Sequence, residues 1–458
     1  MRKKLIEMLE RMIIEIMQGA KIPGMSIGII IDGEIRYKRG FGSRNLEINE
    51  PMTPNTLFGI GSISKMFAAL AINQLADQGK LNLNDPINKF INFKLGKRKN
   101  PITIHHFITH SSGINALEGG FIASERLLGV SDSFVPMNSV EDLLDFINGA
   151  TTEIFDEPGN IFIYNNDMYD CLGLIIEEVS GVKFIDFVKN NIFKPLEMRR
   201  STYLKEDYEK DSDVVMGYIM GDKGKILPKD IPISELQAPC GGMLSSINEL
   251  LNYINAIIND GDFKGNKIIE KPTLERILTP YIETDEKGKD YGYGWRIEKS
   301  FFGHKLVCHS GNIFVSSGFI GVIPELKLGL VIGQNCGHFN PEIIGRAILA
   351  ILLGVDIKEA VPLLEVQQKL NKLIGHYETY KGVIKLDVSL EMGILIGKIR
   401  YPGTSNLISF PIVIEDMEKM KFFIPFALPD LEMKGQVFID NTTGAVKLKV
   451  DRWLFHKV

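Results

Sequence analysis

Apolar residues recur at helical spacing from the start of the chain: Leu5, Met8, Leu9, Met12, Ile13 and Ile16, with Glu7, Glu10, Arg11 and Glu15 between them. This predicts an amphipathic helix. The period then changes. The runs MSIGIII and EIRYKRGFG flank Asp32-Gly33, and a D-G pair between β-rich runs predicts a hairpin. From about residue 62 to 290 the texture is helical. SISKMFAALAINQLADQGK carries apolar residues at 63, 66, 67, 70 and 75, with Gly79 near its end. SVEDLLDFING opens on a cap candidate, Ser139, and DMYDCLGLIIEEVSG ends at Gly181. From 291 strands return in YGYGWRIEKS, HKLVCHSG, SGFIGVIP and LGLVIGQN, and a helix follows in PEIIGRAILAILLG. Two strands early and about three late predict one antiparallel sheet, from 20–60 and 290–340, flanked by helices. A mostly helical subdomain, about 62–290, is inserted between its halves, an α+β fold occupying residues 1–360. From GHYETYKG onward, short strands and turn signals, among them Pro402-Gly403 and Asn441…Gly444, predict a separate small β barrel or sandwich over 365–458.

The chain of 458 residues is too long for one ordinary core. With 45% hydrophobic and 24% charged residues it has a globular, soluble profile. The net charge of −5 offers no basic excess for nucleic acid or an anionic membrane. No run approaches the ~18 apolar residues of a membrane span. The charges in the first helix interrupt what would be a signal-peptide core, so a cytoplasmic protein is expected. Cys171, Cys240, Cys308 and Cys336 form no C-x-x-C pair and are expected as free buried thiols.

Two S-x-x-K matches occur, Ser62…Lys65 and Ser180…Lys183, on the order of what chance gives in such a chain. Gly181 would stop a helix before Lys183, so Ser180 reads as a C-terminal turn. Ser62 instead follows FGIG and opens a long helix. Residues three apart on a helix share a face, which brings Lys65 within reach of the Ser62 oxygen. The positive helix end and partial burial would then push Lys65 toward its neutral, basic form. The alternative is that Ser62 simply caps the helix. GMSIG at 24–28 matches G-x-S-x-G, but a strand continues through Ser26 where that elbow needs a helix. His105, His106 and His110 in HHFITH lack a glutamate and a third ligand and read as structural. Tyr164-x-Asn166, before a helix, and His309-x-Gly311, in a strand, complete the set.

In this order the chain resembles the serine β-lactamase and penicillin-binding-protein superfamily. The similarity is strongest to the branch of class C β-lactamases, DD-carboxypeptidases, D-aminopeptidases and β-lactamase-like esterases. FGIGSISKMF, ITIHHFITHSSGI, EPGNIFIYNNDMYDCLGLIIEEVSG, APCGGMLSSINEL, YGYGWRI and CHSGNIFVSSGF carry it through most of residues 20–335. The C-terminal part resembles a lipocalin-like domain. The resemblance implies Ser62 as an acylated nucleophile, Lys65 as acceptor or shuttle of its proton and Tyr164 as the phenol or phenolate that relays a proton to the leaving group, with either Lys65 or Tyr164 as the base. Asn166 would orient Lys65 and bind the substrate amide. Backbone N–H groups of Ser62 and Asn312, the latter just after Gly311, would form the oxyanion hole. Tyrosine ordinarily titrates near 10, so Tyr164 needs cations beside it; Lys65 and His309 are the expected ones. Where many β-lactamases carry lysine this chain has His309, which fits peptidase and esterase members better. Activity is then expected to depend on pH through His309. The implied function is a serine hydrolase of peptidase type acting on small peptides, including those with D-residues. An esterase, a β-lactamase and a non-catalytic module follow as alternatives. No metal or organic cofactor is implied. The C-terminal part would cap the active-site mouth or mediate assembly into a homo-oligomer.

Overall fold

The computed structural model describes residues 3–95, 100–221, 224–391, 394–400, 407–425, 432–440 and 442–458. The chain forms two compact units, Met1–Leu352 and Leu353–Val458.

The first unit is built on a nine-stranded antiparallel sheet. Its strands are β1 (Gly24–Ile31), β2 (Glu34–Asn45), β3 (Glu50–Pro51), β4 (Ile282–Glu283), β5 (Lys289–Tyr291), β6 (Arg296–Phe301), β7 (His304–Asn312), β8 (Ser317–Ile323) and β9 (Leu328–Gln334). Their order is β4-β5-β6-β7-β8-β9-β1-β2-β3. The sheet is wider than the sequence pattern suggested, because two- and three-residue strands at its edges carry no period to read. Asp32 (φ 56°) and Gly33 (φ 77°) are both left-handed, the conformation a two-residue hairpin needs to match strand twist. The central strands β8 and β9 are buried along their whole length, so helices cover both faces.

The register assigns those faces. Ile27 pairs with Ile332, which pairs with Phe319, and Ile29 pairs with Tyr37. Helix α1 (Lys3–Ala20) buries Leu9, Ile13 and Met17, one every fourth residue. It lies on the Tyr37 face, where Glu10 accepts hydrogen bonds from Tyr37 and Arg39, each 3.0 Å. A late helix, Glu342–Leu353, packs Gly345 against Phe319 on the same face. Helix Ile247–Ile258 covers the other face, with Ile247 and Leu251 so close over Gly28 that no Cβ fits there.

Between residues 62 and 290 lies the helical insertion. Its centre is α2 (Ser64–Asp77), buried on nearly every side; the sequence had suggested one apolar face, but helices of the insertion surround it. Two further helices matter for the site, α3 (Gly119–Leu128) and α4 (Asn166–Ser180). Gly181 ends α4 in the left-handed conformation.

The second unit is a closed antiparallel barrel of eight strands between Gly375 and Lys457. Alternate residues point inward, as in Val446–Val450, where the first, third and fifth are buried. Tyr377, Leu386, Phe422, Leu448 and Phe455 fill the interior. The turn signals at Pro402-Gly403 and Asn441 lie outside the described residues.

Candidate active site

Ser62 does not cap the helix. It sits in a single 3-10 turn, Gly61–Ile63, that runs into α2, and the cap position, Ile63, makes no side-chain capping bond. The Ser62 hydroxyl instead accepts a hydrogen bond from Lys65 Nζ at 3.2 Å. Lys65 is fully buried. Its other two donors reach Asn166 Oδ1 at 2.6 Å and the Cys240 carbonyl at 2.7 Å. An ammonium has three donors and no acceptor, and all three are satisfied. Burial alone would lower its pKa, but Tyr164 first, then Cys240 and Asp170, outweigh it, and the pKa stands above the ordinary lysine value. The expectation of a neutral lysine is therefore reversed, because burial brings acceptors as well as desolvation.

Tyr164 stands just ahead of α4. Asn165 caps that helix by accepting from the Met168 N–H at 3.3 Å, and its own N–H donates to His110 Nδ1 at 3.1 Å. The buried His110 ring lies 4.2 Å, centroid to centroid, from the Tyr164 ring. His110 is thus a packing element that orders the tyrosine segment. Lys65 Nζ lies 4.9 Å from the Tyr164 ring centroid.

Strand β7 brings His309, Gly311 and Asn312 to the same place. Two glycines allow the approach. An ideal Cβ on Gly61 would lie 2.3 Å from the Asn312 nitrogen, and one on Gly311 only 2.7 Å from the Ser62 nitrogen and 1.9 Å from the Ile60 oxygen. Gly61 is also left-handed, φ 55°. The amide nitrogens of Ser62 and Asn312 therefore meet where neither glycine can be replaced without displacement.

His309 departs from expectation. Its Nδ1 lies 2.6 Å from the Ser310 carbonyl, which can only accept, so Nδ1 carries the proton. Nε2 then accepts from the Tyr291 hydroxyl at 3.0 Å. Burial, Arg296 and Lys65 push its pKa down to about 3. The histidine is neutral at working pH and is not the cation beside Tyr164. That place falls to Arg296, on the neighbouring strand β6, whose charge is favoured by Glu286, Tyr291 and Tyr164 against the cost of burial. The rate should accordingly show no inflection near pH 6.5 from His309, checked by comparing pH–rate profiles of wild type and His309→Gln. Stability carries the opposite signature. The unfolded histidine protonates as pH falls below about 6.5, the folded one only near 3, so the contribution present above 6.5 is lost progressively on acidification.

Three residues of the site were missed in the sequence. Cys240 contributes a backbone carbonyl, which no side-chain motif encodes. Glu118 accepts a hydrogen bond from Asn166 Nδ2 at 3.0 Å. Arg296 lies within the YGYGWRI run, but a lone arginine there carries no signal of its own. The decoys have other partners. Lys183 pairs with Glu177 rather than Ser180. Ser26 is buried within β1. His105 bonds Tyr293, and His106 closes a capping box with Thr103. All four cysteines are free and buried. Among the described residues no cluster of His, Cys, Asp or Glu is placed to hold a metal, and no helix is long and apolar enough to cross a membrane.

The chain is similar along 99% of its length to the octameric penicillin-binding protein homologue from Pyrococcus abyssi. That match covers 100% of the archaeal chain at 36% identity, with a TM-score of 0.86. It is 28% identical over 342 residues to Protein flp of Staphylococcus aureus strain MW2, covering 72% of this chain and 65% of that protein. It is also 27% identical over 290 residues to Penicillin-binding protein 4* of Bacillus subtilis strain 168, covering 61% and 60%. The match thus spans less than two thirds of either curated relative. The Pab87 octamerisation domain profile matches residues 357–456. The β-lactamase profile matches residues 9–354, and the chain belongs to the β-lactamase family.

Proposed function

We propose that the protein is a serine hydrolase that forms an acyl-enzyme on Ser62 and acts as a peptidase on small peptides, D-residue substrates included. The observation that carries this reading is the saturated ammonium of Lys65, hydrogen-bonded to the Ser62 hydroxyl inside a family of serine hydrolases. A cationic Lys65 leaves Tyr164 as the base. Its oxygen, beside the charges of Lys65 and Arg296, takes the Ser62 proton as Oγ attacks the substrate carbonyl. The N–H groups of Ser62 and Asn312 hold the oxyanion, each worth about 2.7–4 kcal/mol. The tetrahedral intermediate then collapses, the C–N bond breaks and the Tyr164 proton passes to the leaving amine. Water repeats the sequence on the acyl-enzyme and restores Ser62. His309 and Asn166 act by position: the first holds Tyr291, the second holds Lys65.

His309 is neutral, so it supplies no charge for a substrate carboxylate, which favours peptidase or esterase over β-lactamase chemistry within the carboxypeptidase and aminopeptidase branch. The free buried thiols suit a reducing cytoplasm. Residues 357–456 match an octamerisation domain, and the full-length similarity is to an octameric protein. Both support assembly into an octamer through the barrel, in preference to a lipocalin-like binding role.

A serine-reactive fluorophosphonate followed by intact-mass analysis tests the reading. Wild type and Ser180→Ala should each gain one label and Ser62→Ala none. An unlabelled wild type, tested at several pH values, would instead favour the non-catalytic module.

A further inference from the structure

We propose that Asp170, which has no part in the mechanism above, is a positioning residue whose buried carboxylate is the counter-charge that keeps Lys65 protonated as the pH rises. This deepens the hydrolase reading and rests on it, because a cationic Lys65 is what leaves Tyr164 as the base.

Every hydrogen-bond acceptor of the Lys65 ammonium is formally neutral: the Ser62 hydroxyl, the Asn166 amide and the Cys240 carbonyl. Burial alone drives such a cation toward its neutral form. Asp170 stands where a counter-charge is needed. It follows Asn166 by four residues in α4, so the two side chains share a face. Asn166 grips Lys65 from that face, and Cys240 grips it from a turn. The thiol and amide of the same Cys240 act on the Asp170 carboxyl, so both anchors of Lys65 adjoin Asp170.

A structural role does not account for it. Asp170 is 2% exposed, and among the described residues neither of its oxygens has a hydrogen-bond partner of good geometry. Folded proteins rarely leave a buried carboxyl so. Asp167, three residues earlier, shows the contrast: it accepts from the N–H groups of Glu118 and Gly119 at 2.9 Å each. Burial first, then Asp167, hold the Asp170 proton well above the usual carboxylate range, against Cys240 and Lys65. The unfolded carboxyl titrates near about 3.9. The stability this group contributes below that pH is therefore lost as pH rises toward the folded value. Asp170 is kept at a cost to the fold, as functional groups often are.

The surrounding groups single out Lys65 as its partner. The Cys171 and Cys240 thiols are both pushed up by burial and by Asp170, and stay uncharged. Lys65, reaching across from α2, is the cation that favours the ionised carboxyl. In return Asp170 favours the Lys65 charge against burial, after Tyr164 and Cys240. His110 and His309 also face Lys65, and burial holds both neutral. The Tyr169 ring, 5.5 Å from Lys65 Nζ, adds only its face.

Asp170→Asn keeps the shape and removes the charge. The rate at which a fluorophosphonate labels Ser62, read by intact mass across the alkaline range, reports the pH at which the site loses competence. That alkaline limb should move down by about one pH unit or more in Asp170→Asn. An unmoved limb would overturn the proposal. So would an equal loss at every pH, which would make Asp170 a structural residue. Melting of wild type, Asp170→Asn, Lys65→Met and the double variant at about pH 9 gives a readout independent of reactivity. The change in Tm caused by Asp170→Asn should be more favourable in the Lys65→Met background than in wild type, by about 2 °C or more. Equal changes in the two backgrounds would show that the charges do not interact, and overturn the proposal. An unlabelled wild type overturns the acyl-enzyme reading, and the melting cycle then decides the Asp170–Lys65 pair alone. Labelling intact with equal melting changes sinks Asp170 alone.

Discussion

Ser62→Ala is expected to lower kcat by about a million-fold, the scale seen when a serine nucleophile is removed from an otherwise intact site. The substitution deletes one acceptor of the Lys65 ammonium and leaves those at Asn166 and Cys240 in place, so the pocket keeps its form. The paired amides of Ser62 and Asn312 persist, because residue 62 retains its backbone and Gly61 and Gly311 still permit the approach. A residual rate about a thousand-fold above the uncatalysed reaction should therefore remain, without a covalent intermediate. Single-turnover kinetics with an activated ester would read both quantities. A burst of acylation surviving in Ser62→Ala would place the nucleophile elsewhere.

Lys65→Met should cost about 10³- to 10⁴-fold in kcat while changing stability little. Methionine is unbranched and fits a slot shaped for lysine. Its thioether supplies no proton to Ser62 and no charge to Tyr164. Two buried acceptors, Asn166 Oδ1 and the Cys240 carbonyl, lose their donor at about 1–3 kcal/mol each. Against this, a fully buried charge with no carboxylate hydrogen-bonded to it is no longer desolvated, which is worth a similar amount. Urea denaturation should place the variant within about 2 kcal/mol of wild type. Activity within tenfold of wild type would remove the Lys65 charge from the proposed catalysis. A collapse of stability would show that the ammonium mainly holds the insertion against the sheet.

What was legible in the sequence was local. Asp32-Gly33 announced its hairpin because two successive left-handed residues leave little choice of residue. Ser62 and Lys65 could be placed within reach because three residues along a helix define a distance. Ser180 could be set aside because Gly181 breaks the path to Lys183. What escaped was set by residues distant along the chain. The protonation of Lys65 depends on Asn166 and on a carbonyl at Cys240, and no side chain at 240 announces that bond. The neutral state of His309 follows from its burial and from Arg296 on the adjacent strand; the histidine alone suggested a switch near neutrality. Glu118 is separated by 48 residues from the Asn166 it supports, in a stretch without periodicity. The central helix α2 misled for a related reason. Its apolar face could be read, but not the packing around its other sides.

The order of parts along the chain has a consequence for biosynthesis. Ser62 leaves the ribosome early, Asn166 and Cys240 follow, and Asn312 comes only with β7. Strand β1, near the amino terminus, lacks one of its two neighbours until β9 at residues 328–334 pairs with it. The proposed set around Ser62 is thus incomplete until Asn312 is made, about 250 residues after the serine. On the mechanism proposed above, a chain that ends before β7 lacks the Asn312 amide and is expected to be inactive. For the same reason labelling of Ser62 by a fluorophosphonate is expected only once β7 has joined the sheet, and its onset during refolding would time that step.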